Sequence, residues 1–259
     1  MRASMLTQSP LLRVLLVGES WVSYSHHLKG FNFFPTAYYE EGYVPLRAAL
    51  EGFVELVHLP GHLAATDFPA SLNDLRSYRV VLFSDVGADT LLLHPDTFLR
   101  AQVNLNRLSL VAQYVEQGGG FGMIGGYMSF GGYEGRAHYW GTPIEEILPV
   151  SILPHDDRVE KPEGVRPEIV DGAHPILEGI GRLWPPLLGY NRVLGKENAH
   201  IVLRCGEDPL LVTGSFGRGR TLAYTSDMSP HWGSQAFISW EHYPRFWRQL
   251  VAWLAGVHP

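Results

Sequence analysis

Three titratable side chains stand where chemistry is often done: Glu19 in GESW, Asp85 in SDVG and His231 in SDMSPHW. Each comes at or shortly after the end of a short apolar run. Residues at the ends of buried strands are held open to a ligand by a rigid frame. His231 lies four residues after Asp227 and directly before Trp232. An imidazole titrates near neutrality, so His231 fits a general base or a substrate contact; the plainer reading is a histidine bonded to hold its loop. Glu19, followed by Ser20 and Trp21, fits a carboxylate that orients substrate or takes a proton, against a cap on a nearby helix. Asp85 in DVGADT suits orientation and capping equally. We take His231, Glu19 and Asp85 as the catalytic candidates.

The stretch Gly118–Tyr133, GGGFGMIGGYMSFGGY, has the pattern of a buried strand running into a sharp glycine turn. Many α/β enzymes place a nucleophile at such a turn. Here it holds Gly125 and Gly126, with neither Cys nor Ser. Glycines let a backbone approach a ligand closely, or simply make turns. Gly125, Gly126, Tyr127, Ser129 and Trp232 are the substrate-binding candidates. Ser129 sits in Y-M-S-F-G, without G-x-S-x-G flanks. It reads as a loop serine bonding backbone, and only in a divergent amidohydrolase as the nucleophile.

His26, His27, His138, His155, Asp156 and Asp157 carry ligand-type atoms. Adjacent histidines are poorly spaced for one helical face, and HDD alone is unspecific, so neither metal nor cofactor is expected. Asp156, Asp157 and Arg158 read instead as a salt-bridge network in a loop. The chain has 259 residues, 46% hydrophobic and 18% charged, with net charge −6. No block of five Lys/Arg occurs, which argues against nucleic acid and anionic membranes as partners. The single cysteine, Cys205, excludes an internal disulfide and a Cys-rich zinc site. The first apolar run, Leu11–Val17, is interrupted by Arg13 and is too short to span a membrane. These features predict a cytoplasmic protein, with Met1–Pro10 a loose leader and residues 11–259 one domain.

The elements that must position these groups follow from periodicity. Val14–Val17, Val54–Leu59, Val80–Phe83 and Phe121–Ile124 read as buried strands; Val44–Leu50, Leu72–Tyr78 and Leu105–Glu116 read as helices. Near-continuous apolar strands alternating with helices imply a parallel sheet covered on both faces. The strand ends Gly18–Ser20, Ser84–Gly87 and Gly125–Ser129 then converge on one edge. Ile201–Cys205, Leu210–Ser215 and Thr221–Ser226 read as further strands, the last two joined by the hairpin signal Phe216–Arg220. A helix over Tyr243–Ala255, with Phe246, Trp247, Leu250, Val251 and Leu254 at helical spacing, docks last. Tyr24, Phe31, Phe33, Phe34, Tyr38, Tyr39 and Tyr43 crowd one loop region, to be read as pocket wall, lid or homo-oligomer interface through residues 24–43.

Taken together, LLVGESW, LFSDVGADTLLLHP, GGGFGMIGGYMSFGGY, TPIEEILPV, DDRVEKPEG, HPILEGI, LLGYN, GRGRTLAYTSDMSPHW and WRQLVAWLAG run in order through nearly the whole chain. In this set the chain resembles the class I glutamine amidotransferase-like superfamily. The similarity is to a branch without an established reaction, neighbouring trehalose-utilisation-type proteins and the middle domain of some β-galactosidases. The resemblance implies a flavodoxin-like α/β three-layer sandwich with a mostly parallel central sheet, and a structural role for His174 in HPILEGI. True amidotransferases carry a cysteine in a G-x-C-x-G elbow, with a late His and Glu. The elbow position here falls at Gly125 or Gly126, His231 stands where the late His would be, and no late H-x-E follows. The expectation is a protein without glutaminase activity that binds, or acts by acid–base chemistry on, a small polar metabolite of carbohydrate type by analogy. Its rivals are a non-catalytic interaction protein and an amidohydrolase using Ser129.

Overall fold

The computed structural model describes residues 11–257, so the expected leader Met1–Pro10 lies outside the described residues. In chain order the strands are β1 Leu12–Gly18, β2 Ser20–Lys29, β3 Asn32–Glu41, β4 Val54–Leu59, β5 Val80–Ser84, β6 Gly120–Ile124 and β7 Val150–Ile152. They continue with β8 Arg158–Val165, β9 Glu168–Ile169, β10 Leu187–Asn191, β11 Val193–Gly195, β12 His200–Cys205, β13 Asp208–Phe216 and β14 Gly219–Tyr224. Eight of them form one sheet in the order β4-β1-β5-β6-β14-β13-β12-β9. The pairs from β4 through β14 are parallel. The pairs β14–β13, β13–β12 and β12–β9 are antiparallel, the extension expected for the second half.

Strand alternation sends successive side chains to opposite faces of this sheet. Val14, Leu16, Val80 and Leu82 enter one core; Leu15, Val17, Val81 and Phe83 enter the other. The first core is closed by the helices Val44–Leu50 and Tyr243–Ala255, the latter burying Phe246, Trp247, Leu250, Val251 and Leu254. The second is closed by Arg107–Glu116 and Pro143–Ile147, through Leu108, Val111, Val115, Ile144 and Ile147. Asn106 caps the first turn of Arg107–Glu116, its side chain accepting from the N–H groups of Leu108 and Ser109 at 3.0 and 3.1 Å. The result is the three-layer, flavodoxin-like α/β arrangement with a mostly parallel sheet. Among the described residues no helix is long and apolar enough to cross a membrane.

One sequence expectation needs correction. The aromatic region 24–43 is not a loop. Most of it is β2 and β3, paired antiparallel from Ser20↔Glu41 to Lys29↔Asn32 as a separate two-stranded sheet. The alternation was hidden because aromatic rings stand on both faces, as Tyr24 on one and Phe34 on the other, and because Pro35 interrupts the pattern. Tyr43 alone of the group turns inward, stacked on His58 with centroids 3.8 Å apart.

Candidate functional site

After β1 the chain returns on one side of it as β4, then crosses to its other side as β5. The carboxyl ends of β1 and β5 therefore flank a topological switch point, where sheets of this kind leave a crevice. Register sets four ends level: Gly18 is opposite Ser84, Ser84 opposite Ile124, and Ile124 opposite Tyr224. The residues that follow these ends, Glu19, Asp85, Gly125 and Thr225, start the loops around the crevice. A cavity of about 340 Å³ opens there, lined by Glu19, Trp21, Asp85, Tyr127, Asp227, Ser229, Pro230 and His231.

Glu19 and Asp85 both have positive φ. For a non-glycine residue this conformation costs on the order of 1–3 kcal/mol and persists only where surrounding contacts enforce it. Those contacts are visible. The Glu19 N–H donates to Ser84 O at 2.8 Å, and Ser84 Oγ donates to Glu19 Oε2 at 2.5 Å. The Asp85 N–H donates to Ser129 Oγ at 3.0 Å, and Asp85 Oδ1 accepts from the Met128 N–H at 2.7 Å. Neither carboxylate caps a helix end, so the capping alternatives for Glu19 and Asp85 do not apply. The short helix after Asp85, Ala88–Leu92, has Gly87 at its N-cap.

Burial sets the charge state of this group. Glu19 is 1% exposed. Burial pushes its carboxyl well above the usual carboxylate range, the charges of Asp227 and Asp85 push it further, and hydrogen bonds from Ser84 and Ser229 pull back only partly. Burial also raises Asp85, to about 6; the Met128 N–H and the charge of His231 lower it, while Asp227 adds to the rise. His231 Nδ1 lies 3.3 Å from Asp227 Oδ2. Burial opposes its imidazolium, but the hydrogen bond and charge of Asp227, then the charges of Glu160 and Asp85, outweigh burial and raise its pKa. Asp227 is itself held by Ser229, whose N–H and Oγ donate to Oδ1 at 2.9 and 3.0 Å. The cavity thus joins a proton-holding carboxyl, a second carboxyl that titrates close to neutrality, and an imidazole with a carboxylate on one ring nitrogen. Such a set can donate and accept protons around pH 7.

The glycine turn is closed to side chains. A Cβ on Gly125 would collide with the Thr225 carbonyl, and one on Gly126 would meet Asp85 Oδ1 at 2.9 Å and Asp85 Cβ at 3.2 Å. Asn191, fully buried, braces the turn from beneath. Its Oδ1 accepts from the Gly126 N–H at 3.0 Å, and its Nδ2 donates to Gly126 O at 3.2 Å and to Asp157 Oδ1 at 2.8 Å. Asp157 in turn accepts from the N–H groups of Gly131 and Gly132 at 2.8 and 2.9 Å. Asp157 is therefore a buried brace, while its neighbour Asp156 makes the expected ion pair with Arg158 at 2.7 Å. Cys205 is buried in β12 and does not line the cavity.

The structure brings together Glu19, Asp85, Tyr127 and His231, four of the residues singled out from the sequence. Gly125 and Gly126 form the backbone behind them. Ser129 is 2% exposed, with its Oγ already used by the Asp85 N–H, as in the plainer reading of that serine. Trp232 is buried and does not line the cavity; its ring stacks on His231 with centroids 5.1 Å apart, and its Nε1 donates to Glu160 Oε2 at 3.0 Å. Glu160 also accepts from Tyr127 Oη at 2.8 Å, so one carboxylate clamps both rings. Trp21, Asp227, Ser229, Pro230 and Asn191 also build the site but are not among the candidates the sequence singles out. Only Asp227 had a signal, its spacing of four from His231. Among the described residues no three or more His, Cys, Asp or Glu are grouped to hold a metal ion.

Comparison with known proteins bears on this geometry. A sequence model of the family described as "Putative glutamine amidotransferase" matches residues 13–256. The chain is similar to Cytoplasmic Protein STM3548 from Salmonella typhimurium, at 42% identity and TM-score 0.91, covering 94% of this chain and 99% of that one. It is similar to Cytoplasmic Protein STM1381 from Salmonella typhimurium LT2, at 40% identity and TM-score 0.90, with the same coverage of 94% and 99%. A thua-like protein from Parabacteroides merdae ATCC 43184 shares the fold, at 12% identity and TM-score 0.54, over 96% of this chain and 92% of that one. No curated protein matches the chain.

Proposed function

Since the chain belongs to the family described as "Putative glutamine amidotransferase", we propose that it keeps a ligand cavity at the family's elbow but uses it without a cysteine nucleophile. The ligand is a small, neutral, polyhydroxylated molecule of carbohydrate type. One observation carries this reading. The lining combines the carboxyls Glu19, Asp85 and Asp227 and the imidazole of His231 with the rings of Trp21 and Tyr127, and includes neither Lys nor Arg. Carboxyls and an imidazole bond hydroxyl groups, and aromatic faces pack the C–H faces of a sugar ring. The cavity volume of about 340 Å³ lies within the range for small-molecule sites. A phosphorylated or carboxylated ligand would meet the carboxyls of Asp85 and Asp227 with no lining Lys or Arg to pair with it and with the His231 imidazole already engaged by Asp227. The same argument disfavours glutamine, whose α-carboxylate needs such a partner.

In this reading His231 is the base and Asp227 orients it through Nδ1. Glu19 offers a proton, and Asp85 orients a hydroxyl of the ligand. A cytoplasmic location is supported by the names of the two Salmonella relatives. The test is a thermal-shift screen of neutral mono- and disaccharides, their phosphorylated counterparts and L-glutamine, on wild type and His231→Ala. Saturating ligand raises stability by mass action, about 2.7 kcal/mol at a hundredfold excess over Kd. A neutral sugar is expected to stabilise wild type and to lose most of that effect in His231→Ala. Stabilisation by glutamine or a sugar phosphate, or a shift that is unchanged in the variant, overturns the reading.

A further inference from the structure

In the arm made by β2 and β3, residues paired across the strands share a face. One face carries Trp21 with Glu40, Ser23 with Tyr38 and His27 with Phe34. Its polar groups satisfy one another. Trp21 Nε1 and Ser23 Oγ donate to Glu40 Oε2, each at 2.8 Å, and His27 Nε2 bonds Thr36 Oγ1 at 3.1 Å. The opposite face carries an apolar stripe of Val22, Tyr24, Leu28, Phe33 and Tyr39, with the exposed His26 among them, its ring stacked on Phe33 with centroids 5.5 Å apart. Tyr24 is 74% exposed, Leu28 78% and Phe33 56%. At its root the stripe touches the body where the Tyr39 ring meets His62 edge-on, centroids 5.3 Å apart.

A lone two-stranded hairpin is marginally stable in water. This one exposes roughly 600 Å² of apolar side chain, taking about 200 Å² for a whole aromatic group. That exceeds most patches on a monomer and approaches the ~800 Å² each partner gives a stable interface. The mode of contact is legible too. Pro35, near the middle of β3, has no N–H to offer a neighbouring strand and blunts that edge. The face, not the edge, is what must be covered. The charges of Lys29 and Glu40 lie on the opposite face, with Lys29 Nζ 5.6 Å from the Phe34 ring centroid, and Glu41 stands on the stripe face at its root. Two arms laid antiparallel cover both stripes at once and keep the two Glu41 carboxylates at opposite ends of the seam. A two-fold interface buries the same patch on both partners, so one stripe of this area supplies both halves.

We propose that two copies of this chain associate by laying the Tyr24–Leu28–Phe33 faces of their arms together, antiparallel, about a two-fold axis. The inference is independent of the ligand reading, since neither the arm residues it uses nor its readout involves ligand. Sedimentation equilibrium of the full chain at micromolar concentration is expected to give twice the 29.0 kDa chain mass. Leu28→Ser/Phe33→Ser, both at exposed positions, is expected to sediment as monomer with an unchanged circular-dichroism spectrum. Ala37→Cys, a small change near the middle of the stripe, gives a reading that does not depend on the Ser variant folding: a short bismaleimide should link two chains. A monomeric wild type, as expected if a foreign protein or a membrane covers the stripe, overturns the proposal. So does a folded Leu28→Ser/Phe33→Ser that keeps the dimer mass, or an Ala37→Cys that is alkylated without cross-linking.

Discussion

Glu19 and Asp85 leave neighbouring parallel strands in the same left-handed conformation, φ 50° and 47°, and are tied by the 2.8 Å bond from the Glu19 N–H to the carbonyl just before Asp85. The pairing tips two carboxyls out of the sheet plane toward one crevice instead of letting each strand run on. Backbone strain at both positions is the cost of holding like charges close together in a buried place. Burial and neighbouring charge favour the protonated form of both carboxyls.

The stability of the molecule should show this directly. Asp85 holds its proton up to about 6 when folded, against an ordinary 3.8. Between those values the folded state binds more protons than the unfolded chain. The contribution of this group is therefore complete below about pH 4 and is lost as pH rises through about 6. Asp85→Asn keeps an oxygen for the Met128 N–H and removes the titration. Urea denaturation should find the variant about 1–2 kcal/mol more stable than wild type at pH 7, and no more stable at pH 4; the figure is reduced from the full shift because the carboxyl opens onto the cavity. Parallel pH profiles for the two proteins would refute it.

Asp227 acts on its neighbours in a way that can be read residue by residue. Its hydrogen bond and charge raise His231, and its charge also raises Asp85 and Glu19. Asp227→Asn should lower the pKa of His231 and that of Asp85 together. Side-chain NMR titration of wild type and variant measures both. An imidazole titration that does not move would remove Asp227 as the group that orients His231.

The turn at Gly125–Gly126 should refuse a nucleophile. Gly126→Cys puts its Cβ against Asp85, so the thiol cannot take a productive place without displacing that carboxyl. The variant is expected to release no ammonia from L-glutamine above background. Gly125→Ala, which collides with backbone rather than side chain, should cost about 3 kcal/mol or more by chemical denaturation. Glutamine turnover by Gly126→Cys, or a Gly125→Ala as stable as wild type, would contradict the packing described.

The sheet was legible because its parallel strands are buried on both faces. LRVLLVG, VVLFS and the apolar residues of VELVHL need no partner in view to be read as strands. Once their ends were placed, the convergence of Glu19, Asp85 and Tyr127 followed from topology, and His231 joined them because its loop follows β14, the next parallel strand after β6. What stayed hidden depends on distance in sequence. Asn191 bonds Asp157 and Gly126 across 34 and 65 residues, and nothing local in LLGYN or HDDR marks those contacts. The arm was hidden for a different reason. Its two faces differ in polarity only when the strands are paired in register, and Phe34 and Tyr38 place rings on the polar side.

Trp21 belongs to two parts of the molecule at once. It is the second residue of β2, bonded across the arm to Glu40, and it is also a wall of the cavity that Glu19 closes two positions earlier in the chain. If a bound ligand resets Trp21 and its bond to Glu40 so that the stripe on the opposite face shifts, then ligand and arm contact change each other's affinity by the same factor. Ligand concentration and protein concentration would then be a single coupled variable, and a binding constant measured at one dilution would not hold at another.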